Sequence, residues 1–168
     1  MDCFNCYFFE LNEIIVDDYI YPDCQLPNIV LNKITFRVCP NCDARSAIID
    51  NRLDLHQTIA MELVNKKGKL TNREISFLLK LSGYHEVDIA PMMSCNVSTV
   101  KNWEFGQAEM SVIQEQFFRS LMASRLKKKN CTIERKILAE DAPAVIILFM
   151  NENGEWEVKN HSHNRSKG

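Results

Sequence analysis

Apolar residues recur along this chain in two different rhythms. Up to about residue 50 they form short runs of β type. Tyr7 to Tyr21 is dense in Phe, Ile, Val and Tyr, and Asn28 to Val38 alternates, with Ile29, Leu31 and Lys33 on one side and Val30, Asn32 and Ile34 on the other. Such runs predict strands, and the stretch from Pro22 to Pro27 between them reads as a loop. From residue 51 to 66 the spacing becomes helical. Leu53, Ile59, Ala60, Leu63 and Val64 fall near one face, Glu62 and Lys66 lie off it, and Lys67-Gly68-Lys69 ends the segment.

Helix signals then follow in close succession. Thr71 and Glu74 are spaced as a capping box, in which the hydroxyl caps the first turn and the carboxylate reaches back. Ile75, Leu78, Leu79 and Leu81 continue that helix, and Gly83 suits its C-terminal stop. A short helix is expected over Glu86 to Met93 and another over Val97 to Glu104, with Asn96 as its N-cap. Gly106 stops the latter. Ser111 and Gln114 form a second capping box that opens a long helix toward Leu126. Beyond the basic break at Lys127 to Lys129, Ala144 to Met150 and Glu155 to Val158 read as strands. Asn153-Gly154 between them is a hairpin signal. Residues 161–168 read as a polar, disordered tail, and His161-x-His163 within it as solvated.

Charge changes this picture by dividing it. Residues 1–65 carry four Lys or Arg against ten Asp or Glu, whereas residues 66–136 carry thirteen against seven. A basic segment behind an acidic one suggests separate modules, the basic one a candidate for polyanions. The start Met1-Asp2-Cys3 has no basic stretch leading into an apolar one. The longest apolar run, Ala144 to Met150, is far shorter than the ~20 residues of a membrane span. A cytoplasmic chain with no membrane role is the expectation.

The seven cysteines are odd in number, which argues against a disulfide framework. Four form the pairs Cys3-x-x-Cys6 and Cys39-x-x-Cys42, separated by the two strand runs. One tight turn can present two sulfurs to one ion, and four thiolates suit tetrahedral zinc. A β-rich piece of some fifty residues buries little core, so a metal staple is physically motivated. One structural zinc per chain is therefore expected on Cys3, Cys6, Cys39 and Cys42. Cys24 reads as a bystander, Cys95 as a small buried apolar residue, and Cys131 gives no signal.

The two short helices are spaced as a helix-turn-helix. Ile89 and Ala90 would pack inside, Ala90 being small where the helices cross, and Val100 and Trp103 would anchor the second helix. Val97, Ser98, Thr99, Lys101 and Asn102 then face outward, where such residues contact bases and phosphates. Lys66, Lys67, Lys69, Lys101, Arg119, Arg125 and Lys127 to Lys129 would add phosphate attraction. No nucleophile–base arrangement, phosphate loop or open metal position is present, so no catalytic activity is expected.

Leu70-Thr71-x-Arg73-Glu74-Ile75, then Gly83, Ala90, Ser98-Thr99-Val100 and Trp103-Glu104-x-Gly106, resemble the C-terminal domain of MqsA-type antitoxins, which are Xre-like proteins. The paired C-x-x-C turns and the connecting helix match the same family's architecture, so the resemblance covers roughly residues 1–125. It implies a lambda-repressor-like helix-turn-helix domain that dimerises, binds a palindromic operator in double-stranded DNA and represses transcription, and a zinc domain that engages a toxin, often an mRNA-cleaving RNase. The chain departs from the pattern at Glu86, where Gln is usual, at Pro91 inside the first motif helix, and at Ser94, a turn position often held by Gly.

The expected fold is mainly α, with a small β-rich zinc domain, a lambda-repressor-like helix-turn-helix bundle and a C-terminal β-hairpin. The expected units are residues 1–50 (zinc binding), 51–69 (connecting helix and linker), 70–126 (helix-turn-helix), 127–160 (extension with hairpin) and 161–168 (tail). The alternative to a DNA-binding repressor is a zinc-stabilised protein-interaction module whose helix-turn-helix has degenerated, as Glu86 and Pro91 suggest.

Overall fold

Capping chemistry sets the starts of two helices in the computed structural model, which describes residues 2–7, 10–126 and 145–159. Helix α2 (Asn72–Ser82) starts where the Thr71 hydroxyl accepts the Glu74 N–H and the Glu74 carboxylate accepts the Thr71 N–H, and it stops at Gly83, whose φ of 72° is cheap only for glycine. Helix α5 (Val112–Arg125) begins with the same reciprocal pair, Ser111 and Gln114. Before α2 comes α1 (Arg52–Asn65), and between α2 and α5 lie α3 (Glu86–Met92) and α4 (Val97–Glu104). In α1 the buried stripe runs through Leu55, Ile59, Ala60, Leu63 and Val64, while Leu53, expected on that face, is exposed.

The strands are short: β1 (Asn12–Val16), β2 (Tyr19–Ile20), β3 (Ile29–Leu31), β4 (Ile34–Val38), β5 (Arg45–Ala47), β6 (Ile146–Met150) and β7 (Trp156–Val158). The alternating run Asn28 to Val38 is not one strand. Lys33 adopts a left-handed φ of 57°, and the chain there leaves one sheet for another. One sheet has the order β1-β4-β5, and the other β2-β3-β6-β7. In the second sheet β6 lies parallel to β3, pairing Ile29 with Ile146 and Leu31 with Leu148. The hairpin expected as a C-terminal extension is thus hydrogen-bonded into a sheet with N-terminal strands. Its turn is a five-residue loop, Asn151 to Glu155, in which Gly154 alone is left-handed, at φ 76°, so it is longer than the two-residue turn that Asn-Gly signals.

Helix α1 packs against β7, α2 and α5. Trp156 of β7 is buried. Its indole N–H donates to the Asp50 carbonyl at 3.0 Å and its backbone N–H to the Asp54 carboxylate at 2.7 Å. One continuous apolar core runs from Tyr21, Ile29 and Leu31 through α1 to Leu78, Trp103, Phe118 and Met122. The helix-rich and strand-rich halves therefore share their interior.

These observations correct the expected fold class. The described residues hold five helices and two sheets of seven strands in total, 39% helical and 19% strand. This is mixed α/β, not a mainly α chain built on a lambda-repressor-like helix-turn-helix bundle. Local periodicity finds individual strands but cannot show that β6 returns from far along the sequence to extend the sheet begun by β2 and β3. No described helix is long and apolar enough to cross a membrane.

Candidate functional site

Strand pairing brings the two C-x-x-C turns together. Strand β1 runs antiparallel to β4 with Asn12 opposite Val38, so the chain before Asn12 and the chain after Val38 lie at the same end of the sheet. Each turn closes in the same way. The Tyr7 N–H donates to the Cys3 carbonyl and the Asp43 N–H to the Cys39 carbonyl, both at 2.9 Å. Tyr7 and Asp43, the residues directly after each pair, take left-handed φ values of 59° and 55°.

The result is four sulfurs within 4.8 Å of one another. Cys3 Sγ lies 3.6 Å from Cys42 Sγ, and Cys6 Sγ 3.5 Å from Cys39 Sγ. These separations are far too long for a disulfide, in which sulfurs lie about 2.05 Å apart, and all four thiols are free. A tetrahedral ion with metal–sulfur bonds of about 2.3 Å separates its ligands by roughly 3.8 Å, so the donor set fits one metal ion. Outer groups help to hold the sulfurs. The Asn5 N–H donates to Cys3 Sγ at 3.4 Å, and the Asn41 side-chain amide to Cys6 Sγ at 3.5 Å. Backbone N–H groups of Asn5 and Cys6 hold the Cys3 thiol below its usual range. Burial pushes the Cys39 thiol up to about 11, so a thiolate there calls for a compensating cation. Cys24, buried in the β2–β3 loop, donates instead to the Tyr21 carbonyl at 3.4 Å. Cys95 is half-buried against the core. Cys131 and His161-x-His163 lie outside the described residues.

The α3–α4 pair packs through Ile89, Ala90, Val100 and Trp103, all of them buried. Between the helices, Ser94 takes a left-handed φ of 52°, and the Cys95 N–H donates to the Ala90 carbonyl at 3.0 Å. Pro91 is accommodated within α3. The carbonyl that loses its donor belongs to Val87, which is on the exposed side. Asn96 occupies the cap position of α4 without a side-chain cap bond. Of the α4 residues singled out above, Ser98 and Lys101 are exposed, whereas Thr99 and Asn102 are half-buried. Val97 is half-buried and packs against the core, so it presents less surface than the helical pattern implies.

The positive charges are distributed differently from the sequence expectation. Arg119 is buried, and its guanidinium is consumed by backbone carbonyls and Glu115. Lys66 pairs with buried Glu74 at 2.6 Å and Lys69 with Glu109 at 2.9 Å. Arg125 donates to the Ser82 carbonyl and lies over the Tyr84 ring. Lys67 and Lys101 remain as exposed cations from that set, while Lys127 to Lys129 lie outside the described residues. The Arg119 network was not read from the sequence. The available signal was Glu115 one helical turn before Arg119, on the same stripe as buried Phe118 and Met122.

Comparison with models of known families, with curated proteins and with solved structures gives no match to this chain.

Proposed function

We propose that this chain is a DNA-binding transcriptional regulator that reads double-stranded DNA with α4 and whose strand-rich half is held by one structural zinc ion. The observation that carries the reading is the division of α4. Val100 and Trp103 lock its inner face into the core, while Ser98 and Lys101 are exposed and Thr99 and Asn102 half-exposed on the other face. A helix presented in this way, at the end of a helix–turn–helix pair, suits the major groove. Zinc is preferred for the cysteine cluster because four soft sulfurs at tetrahedral spacing leave no open position for substrate. The motif resemblance to MqsA-type antitoxins supports a finer reading: a cytoplasmic, homodimeric repressor on a palindromic operator that also binds an RNase toxin through its zinc-bearing half.

The test is a mobility shift with the DNA upstream of its own gene. Lys101→Ala and Asn102→Ala should each weaken specific binding by roughly 1–3 kcal/mol, and Lys101→Ala should lower the salt slope by about one. Operator binding that neither change alters would remove α4 as the reading helix. A second reading, a zinc-stabilised interaction module without DNA binding, is favoured by the exposure of Phe4, Tyr7 and Ile15 on the acidic strand-rich half. Co-purification of a partner with no operator binding at low salt would select it.

A further inference from the structure

Helix α5 turns its charges inward and apolar residues outward. Glu115 and Arg119 are buried and paired at 2.6 Å, and no other residue from Ser111 to Ser124 is ionisable. On the opposite side of the helix Ile113, Phe117, Ser120 and Ser124 form one stripe at helical spacing. All four are exposed, Ile113 at 79% and Phe117 at 47%. The two serines bring no free donor to this surface. The Ser120 hydroxyl donates to the Gln116 carbonyl at 2.9 Å and the Ser124 hydroxyl to the Leu121 carbonyl at 2.7 Å. Covering the stripe therefore strands no hydroxyl proton.

The stripe is symmetric in spacing and complementary in size. Its steps are four, three and four residues, the same read from either end, and two bulky apolar residues are followed by two small ones. A second α5, antiparallel about a two-fold axis, would set Ile113 against the partner's Ser124 and Phe117 against the partner's Ser120. Each contact occurs twice, bulk meets hollow, and the helices can approach closely. Charge selects the same occupant. With no outward charge, α5 meets its own copy without repulsion and offers nothing to a phosphate backbone or a charged protein. The exposed Phe4, Tyr7 and Ile15, by contrast, lie where residues 1–65 carry four Lys or Arg against ten Asp or Glu, a surface that repels its own copy. We propose that the chain forms a homodimer through antiparallel α5 helices, Ile113 and Phe117 of each copy covering Ser124 and Ser120 of the other. The pairing rests on the homodimer named in the functional reading above but not on its operator, because α5 and not α4 makes the contact.

The test is sedimentation equilibrium of the full-length, metal-loaded protein without DNA, in which a concentration-dependent dimer is expected. Ile113→Lys and Ser124→Glu should each raise the dimer dissociation constant about tenfold or more, with unchanged circular dichroism. Combined in one chain, the two changes set opposite charges against each other across the axis, twice, and should recover most of that loss. The positions lie about 17 Å apart along one helix, so the recovery cannot arise within a single copy. A chain that stays monomeric at its highest soluble concentration would overturn the pairing and leave the stripe to another occupant. A dimer that neither single change weakens would also overturn it, as would a double variant no tighter than the singles. A dimer that responds as expected yet binds no operator would refute the regulator and keep the pairing.

Discussion

Arg119 offers the sharpest test of how α1, α2 and α5 are held together. Its guanidinium donates to the carbonyls of Leu63, Val64, Lys66 and Gly68 at 2.6–3.1 Å and twice to Glu115 Oε1, at 2.6 and 3.1 Å. The first two carbonyls belong to the last turn of α1, where helices leave acceptors without intrahelical partners and a cation is favoured. Glu115 in turn accepts the Leu70 N–H at 2.8 Å, so the whole link from α1 to α2 is tied to α5. Arg119→Met keeps much of the side-chain volume but strips those carbonyls of their donor and leaves the Glu115 carboxylate buried without its counter-ion. Removing one member of a buried pair costs roughly 3–5 kcal/mol. For a chain of this size that lowers the melting temperature by about 10 °C. Arg119→Lys should recover little, because an ammonium cannot reproduce the planar fork. Combining Arg119→Met with Glu115→Gln should restore part of the loss by neutralising the stranded charge while keeping an acceptor for Leu70. Urea unfolding followed by tryptophan fluorescence and circular dichroism measures all four proteins. A cost for Arg119→Met below about 1 kcal/mol, the value of an exposed ion pair, would refute the reasoning.

Further outcomes are expected elsewhere. Metal analysis should find one zinc per chain, and a strong chelator or Cys39→Ser should release it and sharply lower the melting temperature, since sulfur–zinc binding contributes roughly 10–16 kcal/mol of apparent folding free energy; a melting curve indifferent to chelation would count against a structural metal. Ser94→Gly should stabilise the chain by about 0.5–1 kcal/mol, because serine at φ 52° carries a left-handed penalty that glycine lacks, and a destabilised variant in urea melts would contradict this. His56 is held below its ordinary 6.5 by burial, so the unfolded chain binds a proton that the folded chain resists; its contribution to stability is full above pH 6.5 and is lost as pH falls through that value toward the folded one. The same titration on His56→Gln should lose that part of the slope, and identical pH profiles for the two proteins would rule the contribution out.

The sequence by itself determined whatever is written in short-range chemistry. Thr71 with Glu74, Ser111 with Gln114, and Gly83 place helix ends because their partners lie within one turn. The paired C-x-x-C spacing announces a metal site because each turn is a local unit, and the 3.6-residue rhythm picks out Val100 and Trp103 as the inner face of α4. Tertiary structure alone decided the rest. Alternation in Asn28 to Val38 is the same for one strand or two, and only sheet pairing reveals that β3 and β4 serve different sheets. The parallel union of β3 with β6 joins residues remote in sequence, and no local pattern carries that register. Arg119 has the formal charge of a phosphate-binding residue, yet burial beside the end of α1 makes it a cap for backbone carbonyls. Local codes specify turns and helix ends; the partner that a charge or an edge strand finds is settled by packing, which sums over residues that the chain order keeps apart.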